Sequence, residues 1–372
     1  MRLFSKKGTE NKKDSIRTPP IDCNTVIKDP PNKYGKPSRP EPLSKNEFDH
    51  LKQLIAFFEQ QDILIPTKSQ KLETSGYEVE LNEQPLSVCE RLWLSKERLL
   101  RFLRSTNWDI DEAIARLKAT IIWRREFGLC EDDNGGCSNF ADIVATENET
   151  GKMYLLGYDR QRRPLLHIKT GRQTTPTSFA QIQLLAYMIE SAEALMPQGV
   201  EHLTLLIDFK NYNNLATPLA RLPAISVSKQ VLHLVQQHYP ESLGRAVLTN
   251  IPWYGWNFLK LFHPFIDPST RSKIVYDEAF ENYVENSQLE LIHSGRLNFA
   301  YDNNIYLSDL SQCIAERKNH MRERFLELGG SVALSEFDLK GELSFTDKDR
   351  YPRDSNQSQP CNLDSETDLT GL

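Results

Sequence analysis

The stretch from His238 to Val275 constrains this chain more than any other. It opens on a polar corner, Tyr239-Pro240-Glu241-Ser242, and passes into an apolar run of β type, Ala246–Ile251, which Pro252 ends. Proline suits the first turn of a helix, where its missing N–H is not needed. The helix that should follow, Trp253 to Phe262, is unusual. At 3.6 residues per turn, Asn257, Lys260 and His263 fall within about a third of the circumference. Nearly everything else is Trp, Tyr, Leu or Phe. A surface helix is normally apolar on one face only, so this one is buried on most sides or meets something greasy. After His263-Pro264 and Asp267-Pro268, Lys273 opens a second strand-like run to Tyr276.

Composition excludes several classes. The 372 residues suffice for two domains and a large core. Hydrophobic residues at 39% and charged ones at 26% fit a soluble globular protein. A net charge of −6 argues against nucleic acid as a partner. The start lacks the apolar core of a secretory signal. No uninterrupted apolar run approaches the ~20 residues of a membrane span. The six cysteines follow no pattern; Cys130 and Cys137 are too far apart for usual zinc spacing and have no second pair. A reduced, cytoplasmic protein without a metal is the expectation.

Residues 1–43, basic and then proline-rich, read as a disordered tail. Residues 44–135 read as a small helical domain. Ser44 with Glu47 and Asp109 with Glu112 mark helix starts, and Gly128 marks an end. On pattern alone, the arginines of Leu99-Leu100-Arg101-Phe102-Leu103-Arg104 are surface charges. From 136 to 300 the period changes. Met153–Tyr158 and Leu165–Ile168 form a hairpin around the polar turn Asp159–Arg163. A long helix from Ser178, an apolar strand Leu203–Phe209 and a helix Ile225–His238 follow. Such alternation implies an α/β domain with a largely parallel sheet. Residues 301–340 form a C-terminal helical extension, and the polar, acidic residues 341–372 a flexible tail.

Enzyme signatures are missing: no G-x-S-x-G elbow, no Walker loop, no G-x-G-x-x-G. His233 and His238 are five apart, on different helix faces, which is wrong for a metal. Asp208 ends a strand, where it serves either a site or the cap of the next turn. A lipid hydrolase on an α/β sheet would need a nucleophile that no motif supplies.

Four motifs in unbroken order carry a resemblance. They are LLRFLR at 99–104 with Trp123–Gly128 behind it, Leu205–Lys210, His238–Gly244, and Phe262–Asp267 continuing to Thr270, Lys273 and Ile274. Over about residues 45–335 the chain resembles the CRAL-TRIO lipid-binding proteins, most of all the fungal phosphatidylinositol transfer proteins of the drug-resistance-linked subgroup. That resemblance implies a sheet flooring an apolar cavity closed by a mobile gate helix, here Trp253, Trp256, Phe258, Leu259 and Phe262. The headgroup contacts it implies are Arg101, Glu241, Thr270 and Lys273. Members that also carry phosphatidylcholine have Ser and Thr where this chain has Leu203 and Leu205 in the cavity wall. A sterol is the second ligand implied instead, with no cofactor.

Physics fits that assignment. Two acyl chains leaving a bilayer, at ~0.8 kcal/mol per CH₂, cost on the order of 20–25 kcal/mol to expose. The carrier must enclose them behind a wall that opens. A fixed core helix remains the alternative for Trp253–Phe262, and a structural ion pair the alternative for Glu241 and Lys273. The expectation is a cytoplasmic protein, peripheral at the endoplasmic reticulum, lipid droplets or cell periphery. It would exchange phosphatidylinositol between membranes, or present it to a lipid kinase or another lipid-metabolising or signalling partner.

Overall fold

A computed structural model describes residues 19–35, 38–60, 62–69, 82–129, 138–212 and 222–341. The chain runs from a short strand, β1 (Ile21–Cys23), into α1 (Lys45–Phe58) and a small ribbon of β2 (Ile65–Pro66) and β3 (Glu83–Gln84). Then come α2 (Val88–Trp93), α3 (Lys96–Ser105) and α4 (Ile110–Phe127). Their starts are set locally. Ser44 and Glu47 cap one another's amides, as do Ser87 and Glu90, and Asp109 accepts from the Glu112 amide at 2.9 Å. Gly128, at φ 75°, ends α4 in the left-handed conformation that glycine tolerates best. The apolar faces of these helices meet in one core around Leu54, Phe58, Leu99, Phe102 and Ile121.

The second domain begins with α5 (Ser138–Glu147), β4 (Met153–Tyr158), β5 (Pro164–Lys169), α6 (Ala180–Leu195) and β6 (Leu203–Asp208). It continues through α7 (Ile225–His238), β7 (Leu243–Thr249), α8 (Trp253–Phe262), α9 (Pro268–Ser272), β8 (Ile274–Tyr276) and β9 (Leu297–Phe299). The main sheet has the order β4-β5-β6-β7-β8; β4 runs antiparallel to β5 and the others pair in parallel. A period of two gives it two faces. Leu166, Leu205, Ile207, Ala246 and Leu248 meet α6, α7 and α8, while Leu165, Leu206 and Val247 meet Phe280, Val284 and Leu289 on the other side.

Two helices close the structure, α10 (Asn303–Glu327) and α11 (Glu336–Leu339). Tyr306, Leu310 and Ile314 of α10 join the core of α6. The Tyr306 hydroxyl also accepts from the Leu155 amide at 2.7 Å and donates to the Leu155 carbonyl at 2.9 Å. That fastens α10 to β4.

The amino-terminal segment departs from the sequence reading. Residues 1–18 lie outside the described residues, but from Ile21 the chain is ordered against the domain. β1 pairs in parallel with β9, Ile21 opposite Leu297 and Cys23 opposite Phe299. Val26 is buried, and the Lys28 carbonyl accepts from the Tyr158 hydroxyl at 2.6 Å and from Arg317 at 2.7 Å. Farther on, Arg39 pairs with Asp338. This is a strap and not a disordered tail. Proline-rich sequence opposes a helix, yet each proline has a fixed φ and little conformational freedom to lose on docking. Residues 342–372, expected to be a tail, and the Cys130–Cys137 segment lie outside the described residues.

Candidate functional site

Four parallel strands begin at the same end of the sheet, so the residues just before them converge. These are Arg163 before β5, His202 before β6, Glu241-Ser242 before β7 and Lys273 before β8. Neighbouring strands are about 4.8 Å apart. Asp267 caps α9 by accepting from the Thr270 amide at 2.7 Å, and the Lys273 amide donates to the Thr270 carbonyl at 3.0 Å. The Lys273 carbonyl then accepts from Ala246 at 3.0 Å, which seats the lysine on the β7–β8 edge. Glu241 sits at φ 60°, a left-handed conformation that costs a non-glycine residue roughly 1–3 kcal/mol. Among the described residues, Glu241 and Lys273 do not pair with each other or with any other charge. The ion-pair alternative therefore does not describe this structure.

Two further features of this end were not legible in the sequence. Ser242 is buried, its carbonyl accepts from Leu203 at 3.0 Å, and its hydroxyl has no partner among the described residues. His202 is held down to about 3 by burial first, and then by Arg163, Lys273, Arg101 and Arg104. The imidazole stays neutral because it is buried, and the positive charge at this end of the sheet adds to that effect.

Arg101 is not a surface charge, which corrects the reading made on pattern alone; the headgroup role that the resemblance implies would have it exchange the carboxylates that hold it here. Arg101 is 2% exposed; its guanidinium donates to Glu336 at 3.0 Å and to the Glu201 carbonyl at 3.4 Å, with Glu193 at 3.6 Å. Glu336 comes from α11, at the far end of the chain. Burial pushes its carboxyl up, but Lys340, Arg101 and Arg98 outweigh that and hold it well below the usual range. The neighbouring arginines are spent in the same way. Arg98 grips Glu193 at 3.1 and 2.8 Å, and Arg124 grips Glu190 at 2.6 and 3.1 Å. Tyr239 adds a hydroxyl to Glu190 at 2.8 Å. Both guanidinium groups approach the face of Trp93, 4.6 and 4.7 Å from its ring centre. These pairs bolt the helical domain to α6 and line a groove of about 900 Å³ that α10 bounds on its other side. At the opposite end of the sheet Asp208 serves as a cap, accepting from the Lys210 amide at 2.9 Å and from Asn250 at 2.8 Å.

The aromatic helix is two-sided. Trp256 rests 5.6 Å from the Tyr276 ring, Leu259 packs with Phe209, Ala246 and Leu248, and Phe262 is buried beside Phe258. Trp253, by contrast, is 78% exposed, and Leu261 and Phe265 are exposed at 50% and 61%. The helix thus covers the sheet with one apolar side and offers another outward. Of the two leucines expected in the cavity wall, Leu203 is packed into the core of α6 and α7. Leu205 is half-buried and bridges that core to the cluster under α8. Among the described residues no helix is long and apolar enough to cross a membrane.

Residues 148–295 match the CRAL/TRIO domain, and residues 49–119 match the CRAL/TRIO N-terminal domain. Phosphatidylinositol transfer protein PDR17 of Saccharomyces cerevisiae is 40% identical over 357 residues, spanning 95% of this chain and 99% of that one. A CRAL-TRIO domain-containing protein of Schizosaccharomyces pombe is 40% identical over 279 residues, 72% of this chain and 26% of its relative. Among solved structures, Sfh5 aligns with a TM-score of 0.44 at 13% identity, covering 75% of this chain and 99% of that one.

Proposed function

This chain belongs to the CRAL/TRIO family, and on that premise we propose that it carries phosphatidylinositol between membranes without making or breaking bonds. The observation that carries the reading is the unpaired charge at the amino end of the sheet, Glu241 with Lys273, beneath an apolar face that α8 covers. Phosphatidylinositol offers one anionic phosphodiester and a ring of hydroxyls. Lys273 meets the phosphate with charge-assisted bonds, Glu241 accepts from ring hydroxyls, and Thr270 adds a hydroxyl. The acyl chains lie against Leu205 and its neighbours, and α8 swings away to admit them. No cofactor enters this scheme. A sterol, which asks for little beyond apolar volume, is the second ligand. The protein acts from the cytoplasm at the surface of the endoplasmic reticulum, lipid droplets or the cell periphery, and a lipid-metabolising enzyme is the recipient.

The similarity to a phosphatidylinositol transfer protein along nearly the whole chain supports this reading. Mass spectrometry of lipids extracted from the purified protein should find phosphatidylinositol. Glu241→Ala with Lys273→Ala should empty it of that lipid while leaving the melting temperature intact, because no apolar contact is removed. A folded double mutant with normal inositol-lipid content would sink the headgroup assignment.

A further inference from the structure

Resting on the carrier reading, we propose that Arg163, seated on Gly244, joins Lys273 in gripping the phosphodiester of the lipid headgroup. Arg163 leaves the hairpin turn just before β5 and crosses toward β7. A Cβ built on Gly244 would lie 2.8 Å from its Cζ, Nε and Nη1 alike. Three guanidinium atoms at one distance mean that the planar group lies face-on to the strand. Only a residue without a side chain permits that approach.

Among the described residues the guanidinium has no hydrogen-bond acceptor. Asp159 is the one carboxylate within ion-pair reach among the described residues, at 3.9 Å, too far for a hydrogen bond. Its oxygens already accept from the Thr204 hydroxyl at 2.7 Å and from the amides of Gln161 and Arg163 at 2.8 and 2.9 Å. Lys273 likewise lacks a carboxylate partner, and both cations act on His202. The unpartnered Ser242 hydroxyl lies two residues before Gly244. Asp159 screens Arg163 from a distance but leaves its N–H donors open, so an anion that accepts from them is favoured at this end of the sheet. The arginine fork suits a phosphodiester better than a second lysine would, since it binds two oxygens at fixed spacing.

The test uses the full chain with two probes. The first is phosphatidylinositol loading from phosphatidylcholine vesicles doped with that lipid. The second is the rise in melting temperature with inorganic phosphate against chloride at equal ionic strength. Arg163→Gln should lower loading by about tenfold to a hundredfold, the loss of one bidentate charge-assisted contact, and abolish the phosphate-induced rise. Gly244→Ala, which dislodges the guanidinium, should reproduce both losses, and Arg163→Lys should recover part of each. Sterol loading should not change. Should Arg163→Gln fail to fold, the other two variants carry the comparison. Folded variants that load phosphatidylinositol and respond to phosphate like the parent overturn the proposal. A parent that responds to phosphate through Arg163 but loads no phosphatidylinositol overturns the carrier reading and leaves the anion site standing. A parent with neither response removes both.

Discussion

The two ends of this molecule handle arginine in opposite ways. At the junction of the helical domain with α6, Arg98, Arg101 and Arg124 are buried and each is held by a carboxylate. At the amino end of the sheet, Arg163 and Lys273 stand without one in hydrogen-bond reach among the described residues. The residue types are alike; the counterions are not. A buried pair gives little net stability, because desolvation cancels most of the attraction, but breaking it strands a charge. A cation left open to a ligand costs the fold little when removed. Pairing therefore tells a bolt from a binding group where the sequence cannot.

Truncating one of each kind tests that contrast most severely. Arg124→Ala removes both guanidinium bonds from buried Glu190 and should cost roughly 3–5 kcal/mol in urea unfolding. Lys273→Ala should stay within about 0.5 kcal/mol of the parent and affect ligand content alone. Equal losses in the two variants would erase the distinction.

Acid should reach both regions through histidine. Burial, the largest cause in each case, holds His167 down to about 4 and His202 and His238 to about 3. Each is neutral in the folded state but takes up a proton on unfolding below about 6.5. Their contribution is complete above that pH and is lost as pH falls toward those folded values. Three such protons give a slope of about 4 kcal/mol per pH unit at most. Glu190, held down to about 2 by Arg124 against the opposing effect of burial, adds its own loss below about 4.5. Unfolding free energies measured between pH 6 and 5 should show this decline, and His202→Gln should reduce it by about a third. A flat profile across that window would mean that these imidazoles are not kept neutral.

The outward side of α8 and the turn that follows it should matter to docking and not to folding. Trp253→Ser with Phe265→Ser removes two exposed aromatic rings whose burial in a membrane surface is worth about 1.5–3 kcal/mol each. Vesicle binding should fall by at least tenfold with an unchanged melting temperature. Unaltered binding would move the docking surface elsewhere.

The elements of the second domain were legible because their patterns are local. The helix Ile225–His238 and the aromatic helix Trp253–Phe262 have the predicted bounds, and the strand before Asp208 ends one residue from its predicted limit. What escaped depends on distant partners. β1 is three residues long and finds β9 some 276 positions away in the pair Ile21–Leu297, so no pattern near Ile21 announces it. Arg101 looked like a headgroup residue by resemblance and like a surface residue by composition. Glu336, which takes its guanidinium, lies 235 residues downstream. Arg163 was hidden differently: in a turn reading Asp-Arg-Gln-Arg-Arg it is one polar residue among several, and only Gly244 across the sheet singles it out. His233 and His238 also come closer than their spacing suggests, with rings 5.8 Å apart, because His238 closes α7.

The smallest effect should divide Leu203 from Leu205, which a period of two makes equivalent. Both face the same side of β6, yet Leu203 is 3% exposed within the core of α6 and α7, and Leu205 is half-buried between that core and the cluster under α8. Leu203→Ser would open a cavity and cost about 2–5 kcal/mol. Leu205→Thr keeps most of the volume and places one hydroxyl where an enclosed lipid passes. A hydrogen bond from it to a choline phospholipid is worth about 1 kcal/mol, or roughly fivefold in affinity. Phosphatidylcholine loading should therefore rise by about that factor in Leu205→Thr, with phosphatidylinositol loading unchanged because its headgroup is met by other side chains. The parent should prefer phosphatidylinositol throughout. If it loads phosphatidylcholine equally well, or if Leu203→Ser gains as much without losing stability, these leucines do not set the choice of headgroup.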